Sequence, residues 1–339
     1  MSLSIDTTPR ASAANDGGTM KAVVHTKYGS VEVLDVPKPT IEDHQVLIRV
    51  HASSVNAADW YKVTGPVFAR ILTASPRAKR EVVGGDVAGR VVAVGKDVHD
   101  LAPGDDVFGL SPAAWGEYAK ARADRVARKP ANVSYEEAGA VPIAALTALQ
   151  ALRDKGGVRA GQKVLVNGAS GGVGTYAVQI AKALGAEVTA VCSTSKVDLV
   201  RSLGADRVVD YTREDFTQLP VRHELMLDVA GSRPFRQFAR VLTRDATLVV
   251  VGGPMNRGLG PIPHLVGTMV SGRVRRRPVK FFVAKAPRED LELLAGMLES
   301  GQIRSVVEAT YDLSRVEEAL RHLGEGHARG KIVLTVGGA

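Results

Sequence analysis

The 339-residue sequence predicts an α/β protein in which a β-rich first third precedes a doubly wound parallel sheet. Three observations predict it. Short β-branched runs between Gly, Pro and Asp turns fill residues 21–118. From residue 163 onward, apolar strand-like runs alternate with amphipathic helical ones, the pattern of a sheet covered on both faces. A glycine-rich turn at 168–174 separates the first of these strands from the first of these helices. The length suits two domains, because single cores stop growing near ~250–300 residues.

Taken in order, residues 1–19 are rich in Ser, Thr, Ala, Asp and Gly and lack an apolar h-region. They read as a disordered tail, or as sequence upstream of a start at Met20, with folding from Lys21. Strands are expected at 21–25, 45–50 and 90–94, punctuated by turns at Gly84-Gly85-Asp86, Gly95-Lys96-Asp97 and Pro103-Gly104-Asp105. Ser134 and Glu137 have the spacing of a capping box and open a helix that runs toward Ala148. Then come a strand at 163–167, a helix at 173–184, a strand at 187–191 and a helix at 196–203. Further strands follow at 207–210, 224–228 and 247–251, then a helix at 288–300 and a last strand at 331–336. Periodicity does not say which sheet the last strand joins.

The bulk numbers exclude several classes. Cys192 is the one cysteine, so an internal disulfide or a Cys-rich metal lobe is impossible, which fits a reducing, cytoplasmic setting. No apolar run approaches the ~18 residues of a membrane span. The net charge is +8, but the only dense basic run is Arg273, Arg275, Arg276, Arg277 and Lys280. It lacks the aromatic interleaving of a single-strand groove and reads as a solvated loop, so neither nucleic acid nor a membrane is the expected partner.

The sharpest feature is the turn Gly168-Ala169-Ser170-Gly171-Gly172-Val173-Gly174, between strand and helix. It matches the dinucleotide fingerprint with Ala169 in place of the first glycine. Small residues let the main chain approach a pyrophosphate, which the helix N-terminus attracts. In NAD binders an acid near the end of the second strand bonds the ribose 2′-hydroxyl. Here that strand runs into Ser193-Thr194-Ser195-Lys196 with no acid, so Ser193 and Lys196 are the expected grip on a 2′-phosphate and NADPH the expected cofactor. The same Ser-Thr-Ser also suits a helix cap.

At this point the chain resembles the zinc-free quinone oxidoreductase branch of the medium-chain dehydrogenase/reductase superfamily. The carriers are Val55-Asn56-Ala-Ala-Asp59-Trp60, Gly84-Gly85-Asp86-Val-Ala-Gly89, Asp97 with Pro103-Gly104-Asp105-Asp106-Val107, the 169–174 turn, 186–191, Leu203-Gly-Ala-Asp206, and Gly326-His-Ala-Arg-Gly330-Lys-Ile-Val-Leu334. The resemblance implies a GroES-like β-barrel substrate domain over 20–135, a Rossmann NADPH-binding domain over 136–285, a return segment over 286–339, and a homodimer. The positions of catalytic zinc ligands in metal-dependent relatives match Asn56 and Gly85, neither a credible Zn²⁺ ligand. His25 and His51 are lone histidines on strands, so no metal is expected.

The resemblance also implies cofactor contacts. Tyr211 would line the 2′-phosphate pocket, Val251 and Gly252 would run beside the nicotinamide, and Phe281, Phe282 and Val283 would offer main-chain groups to its carboxamide. Thr147 and Lys331 would add polar contacts, and Asp228 and Ala230 would meet the ribose and adenine. Asn56 is the expected hydrogen-bond donor to the substrate oxygen, with Tyr61 second, as donor or proton relay. Residues 67–80 and Trp115 would set specificity. The implied activity is NADPH-dependent reduction of a small electrophile: a quinone, enone or aldehyde. A zinc-free NADP-dependent alcohol dehydrogenase and a non-catalytic NADPH-binding sensor remain as alternatives.

Overall fold

The computed structural model of the chain describes residues 18–67, 80–253 and 258–337. Strands β1 (Thr19–Lys27), β2 (Ser30–Pro37) and β3 (Gln45–Val55) lead into helix α1 (Ala57–Thr64), followed by β4 (Glu81–Val82), β5 (Asp86–Val94), β6 (Asp106–Leu110), β7 (Tyr118–Arg122) and β8 (Val126–Arg128). β1 pairs with β2 and β4, and β3 pairs antiparallel with β5 and β7. Alternate residues of these strands meet in one core, among them Val46, Ile48, Val87 and Val107, joined by Trp115 from the segment before β7. The first strand starts at Thr19, two residues earlier than expected, because Thr19 and Met20 pair with Pro37 and Val36 and Met20 is buried.

The expected helix from Ser134 to Ala148 is broken in two. Ser134 caps α2 (Tyr135–Gly139) as the spacing predicts, with Ser134 Oγ accepting from Glu137 N and Glu137 accepting from Ser134 N. α3 (Pro142–Gln150) is a separate helix with proline in its first turn. Proline lacks an N–H and disfavours helical geometry in the residue before it, so it starts a helix more readily than it continues one.

The second half follows the alternating pattern: β9 (Lys163–Asn167), α4 (Gly172–Ala183), β10 (Glu187–Cys192), α5 (Val197–Ser202), β11 (Arg207–Asp210), β12 (His223–Asp228), α6 (Phe235–Phe238), β13 (Leu242–Val250), α7 (Ile262–Val274) and β14 (Val279–Phe281). The six strands form one parallel sheet in the order β11-β10-β9-β12-β13-β14. Its two faces are both covered. Val164, Val166, Leu225 and Leu227 pack toward Leu149, Ile180 and Leu291, while Leu165, Val191, Met226 and Leu248 pack toward Phe216, Phe235 and Phe238. α5 begins at Val197, after a 3₁₀ turn over Thr194–Lys196, and β13 begins at Leu242, five residues before its expected start.

The basic run is not simply a solvated loop. Arg273 lies in the last turn of α7, a helix the periodicity did not predict. The Arg277 guanidinium donates to Thr243 O at 2.6 Å, and Lys280 Nζ donates to Lys155 O at 2.7 Å. Beyond α8 (Arg288–Glu299), two further unpredicted elements appear, β15 (Val307–Asp312) and α9 (Val316–Gly324). The last strand, β16 (Lys331–Thr335), lies parallel to β15 and antiparallel to β3, with Ile332 opposite Val55 and Val333 opposite Ser54. The end of the chain thus returns to the sheet that contains β3 and β5. Because the Ser134 cap supplies one acceptor to an otherwise orphaned N–H, Ser134→Ala should cost about 1 kcal/mol in urea unfolding. An unchanged midpoint would contradict the capping role.

Candidate active site

The glycine turn leaves β9 through Gly168, whose φ of +89° suits glycine. The N–H groups of Gly168 and Ala169 both donate to Val191 O, at 3.2 and 3.0 Å, which ties the turn to β10. A Cβ on Gly174 would stand 2.1 Å from Gly168 O, so no larger residue fits there. On the outer side of the turn, a Cβ on Gly171 would meet only Gly168 O, at 3.8 Å. Gly171 caps the twelve-residue α4, whose first-turn N–H groups lack intrahelical acceptors. Ala169, Ser170, Gly172 and Val173 complete a turn of small side chains at a helix N-terminus. These residues fit a pyrophosphate. Ala230 abuts the turn, 3.2 Å from where a Cβ on Gly168 would lie.

The loop after β10 lies against the return segment. Lys196 Nζ donates to His327 O at 2.6 Å, and Arg329 donates to Ser195 O at 2.8 Å. Ser193 is half-buried and Tyr211 is 51% exposed, both beside this loop in sequence or register. An acid also enters here, which reading the strand end alone missed. Asp210 lies opposite Cys192 in the sheet register, and its Oδ2 accepts from Thr194 Oγ1 at 2.6 Å. Hydrogen bonds from Thr194 and Thr212 hold its carboxyl below the usual range.

The chemically densest place lies where β3, β5, α3 and β16 meet. Asp86, fully buried, accepts at Oδ2 from Ser54 Oγ at 2.5 Å and from Asn56 Nδ2 at 2.8 Å. Its Oδ1 accepts from Ile143 N at 2.8 Å, so the carboxylate caps the first turn of α3. The break at Pro142 is what presents that N–H. Lys331, buried at the start of β16, donates from Nζ to Asn56 Oδ1 and stands 3.6 Å from Asp86 Oδ2. Its stem passes the dinucleotide turn, with Cδ 3.0 Å from where a Cβ on Gly172 would lie. Asp59, also buried, accepts from Asn56 N at 2.9 Å. Burial first, and the charge of Asp86 second, push the Asp59 carboxyl up to about 7. Burial pulls the Lys331 ammonium down, against the opposing pull of Asp86 and Asp59.

This arrangement corrects several expectations. Asn56 does reach the site, but its amide is committed at both ends, Nδ2 to Asp86 and Ser54 and Oδ1 to Lys331. It is therefore a fixed spacer rather than a donor waiting for substrate. Asp228 is 0% exposed, and its carboxylate is bound to Asn167 Nδ2 at 2.7 Å, Gly231 N at 3.0 Å and His264 Nε2 at 2.6 Å. It is a buried residue whose carboxylate is hydrogen-bonded within the protein, not an open group at the strand end. Trp115 is fully buried over Gly84 and does not line an open cleft. Tyr61 is half-buried against Trp60, with ring centroids 5.3 Å apart, and burial raises its phenol.

The remaining expected contacts divide between bound and open groups. Thr147 Oγ1 donates to Ile143 O at 2.7 Å. Val251 and Gly252 both donate from their N–H groups to Asp228 O. Phe281 and Val283 are exposed, whereas Phe282 is half-buried with Lys155 over its ring. Most of the expected specificity loop, residues 68–79, lies outside the described residues.

Comparison with known proteins places this geometry in a family. Residues 42–185 match the alcohol dehydrogenase GroES-like domain, and residues 203–334 match a zinc-binding dehydrogenase domain. The chain is 35% identical over 334 residues to the 2-methylene-furan-3-one reductase of Solanum lycopersicum, covering 93% of this chain and 79% of that one. It is 34% identical to the chloroplastic NADPH-dependent alkenal/one oxidoreductase of Arabidopsis thaliana, again over 93% and 79%. The solved quinone oxidoreductase of Coxiella burnetii superposes with a TM-score of 0.84 at 28% identity, covering 94% of this chain and 100% of that one. The chain belongs to the zinc-free quinone oxidoreductase branch of the medium-chain dehydrogenase/reductase superfamily. As a member of that branch it is an oxidoreductase using a nicotinamide cofactor.

The zinc in the matched domain's description does not fit this oxidoreductase. At position 85 a Cβ would already come within 2.8 Å of Ile143, and the Asn56 carbonyl faces an ammonium. Among the described residues no three His, Cys, Asp or Glu side chains are grouped to hold a metal ion. Asp59 gives the site a pH signature. An unfolded aspartate loses its proton near pH 4, whereas folded Asp59 keeps it to about 7. Between these values the native state holds the extra proton, so the stability contributed by Asp59 falls as pH rises across the window. Asp59→Asn should therefore remove a decline in urea midpoint between about pH 4 and 7 that the parent shows. Parallel pH curves for the two proteins would disprove it.

Proposed function

We propose that the chain is an NADPH-dependent, zinc-independent reductase that delivers hydride to quinones or α,β-unsaturated carbonyls. One observation carries the reading: the N-terminus of α4 and a buried cluster of Asn56, Asp86 and Lys331 adjoin each other across Gly172. The names of the reductase relatives support the same substrate class. In this reading residues 136–285 hold the nucleotide, and residues 20–135 with 286–339 hold the substrate.

Bound NADPH supplies hydride from C4 of its nicotinamide. The protein's part is positional and electrostatic. The 169–174 turn would receive the pyrophosphate, and Val251 and Gly252 would run beside the ring; Gly252 packs so closely on Val229 that a Cβ there would strike Val229 O at 2.3 Å. Ser193 and Lys196 are the proposed grip on the 2′-phosphate, with Arg329 and Tyr211 beside them. Asp210 opposes that grip, but its hydrogen bonds to Thr194 and Thr212 direct its charge toward its own loop.

Two coarser assignments follow. β14 is an edge strand of the parallel sheet, and beside it Phe281, Val283, Val266, Val270 and Val274 are exposed. An uncovered apolar edge favours a homodimer formed there. A single buried cysteine, its thiol pushed up to about 11 by burial, suits a reducing cytoplasm. No helix among the described residues is long and apolar enough to cross a membrane.

The decisive measurement follows reduced-nicotinamide absorbance with NADPH or NADH and either 1,4-benzoquinone or 3-buten-2-one. NADPH should be consumed faster than NADH, and a chelator should leave the rate unchanged. Activity lost to chelator and restored by Zn²⁺, or no preference for NADPH, would refute the reading. Lys196→Ala should weaken NADPH binding on the order of tenfold or more, as loss of a charge-assisted hydrogen bond does, while NADH binding changes little.

A further inference from the structure

Hydride addition to a conjugated carbonyl leaves negative charge on its oxygen, and a donor aimed at that oxygen is often the largest catalytic term. On the reductase reading above, the donor must come from side chains at the cleft. Most of the polar groups there are already committed. The Asn56 amide donates to Asp86 and Ser54, Ser54 Oγ donates to Asp86 Oδ2, Ser53 Oγ donates to Asp86 O, and Ile143 N donates to Asp86 Oδ1.

Lys331 differs. An ammonium has three N–H donors. Among the described residues two acceptors face it, Asn56 Oδ1 and Asp86 Oδ2, which leaves a third N–H. Its position is over-determined. The main chain is fixed by Lys331 N donating to Val306 O at 2.8 Å and by the pairing of β16 with β3. The stem lies against the first turn of α4, and Asp86 is itself held by four donors counting Lys331. A donor held this rigidly needs little reorganisation as charge develops.

We propose that Lys331 is a catalytic residue whose ammonium donates a hydrogen bond to the substrate carbonyl oxygen during hydride transfer, with Asp86 and Asn56 as its positioning residues. In the step, hydride from the reduced nicotinamide forms a C–H bond at the β-carbon of the enone. The C=C π pair shifts to make an enolate, whose oxygen Lys331 stabilises without giving up its proton. The α-carbon then takes a proton from water, and the nicotinamide is left oxidised. This role differs from the pyrophosphate or ribose contact that the sequence resemblance implies for the same residue.

The test is single-turnover hydride transfer at saturating NADPH with 3-buten-2-one, alongside NADPH and NADH dissociation constants from nicotinamide fluorescence. Lys331→Met removes the donor, Lys331→Arg keeps one, and Lys331→Met combined with Asp86→Asn leaves no unpaired charge at position 86 should the single variant fold poorly. The proposal expects a loss on the order of 100-fold or more in transfer rate for both Met variants. It also expects partial recovery in Lys331→Arg and dissociation constants within about threefold of the parent. Parent-like transfer in the Met variants, or a loss confined to NADPH and NADH binding, would overturn it and leave the reductase reading intact. A parent protein that binds NADPH but reduces neither this enone nor 1,4-benzoquinone would overturn both.

Discussion

Burying the Lys331 ammonium is the constraint around which the site is organised. Taking an ammonium and a carboxylate out of water costs several kcal/mol each, and only close geometry with further hydrogen bonds offsets that. Asp86 and the Asn56 carbonyl supply it for Lys331. Ser54, Asn56 and the first turn of α3 supply it for Asp86. Removing Lys331 or Asp86 leaves the other charge buried without its partner, and removing a neutral donor takes a hydrogen bond from the buried carboxylate. The same closure requires β16 to pair with β3, so the last strand of the chain completes a site begun at residue 54.

In the proposed zinc-independent reading, a side chain of the protein takes the place a metal ion would hold. A carboxylate and an amide oxygen converge on a cation, as they would around a bound ion, but the cation is covalently part of the chain. Its charge is compact, fixed and hydrogen-bonding, and it stabilises a developing oxyanion rather than generating a hydroxide. Such a site favours acceptors that are already electrophilic. Asp59 accepts from the Asn56 main chain, and burial beside Asp86 pushes its carboxyl up to about 7.

At the other end of the cofactor cleft the electrostatics are balanced rather than one-sided. Lys196 and Arg329 bring positive charge from two segments far apart in sequence, and their present partners are main-chain oxygens of each other's segment. Asp210 brings negative charge from the next strand, tied to Thr194 and Thr212. A phosphate entering here would compete for Lys196 with a neutral carbonyl rather than with a carboxylate. That ordering of acceptors is the physical basis of the proposed preference for the phosphorylated dinucleotide.

Local pattern by itself determined the alternation of strands and helices after residue 163, the fingerprint turn and the Ser134 cap. It did so because φ/ψ preference, side-chain period and capping act over a few residues. Pro142 was readable as a helix start, yet the capping box at Ser134 was extended through it to Ala148. Elements with little amphipathic contrast, such as α7 and β15, left no period to read. Only the tertiary structure decided that Asn56, Asp86 and Lys331 share one cluster, since 275 residues separate Asn56 from Lys331. It alone withdrew Asp228 into the core beside His264 and brought Asp210 to Thr194. The reason is common to all three: sheet register and charge compensation act across space, and no property of a short stretch of chain records which distant group will stand opposite.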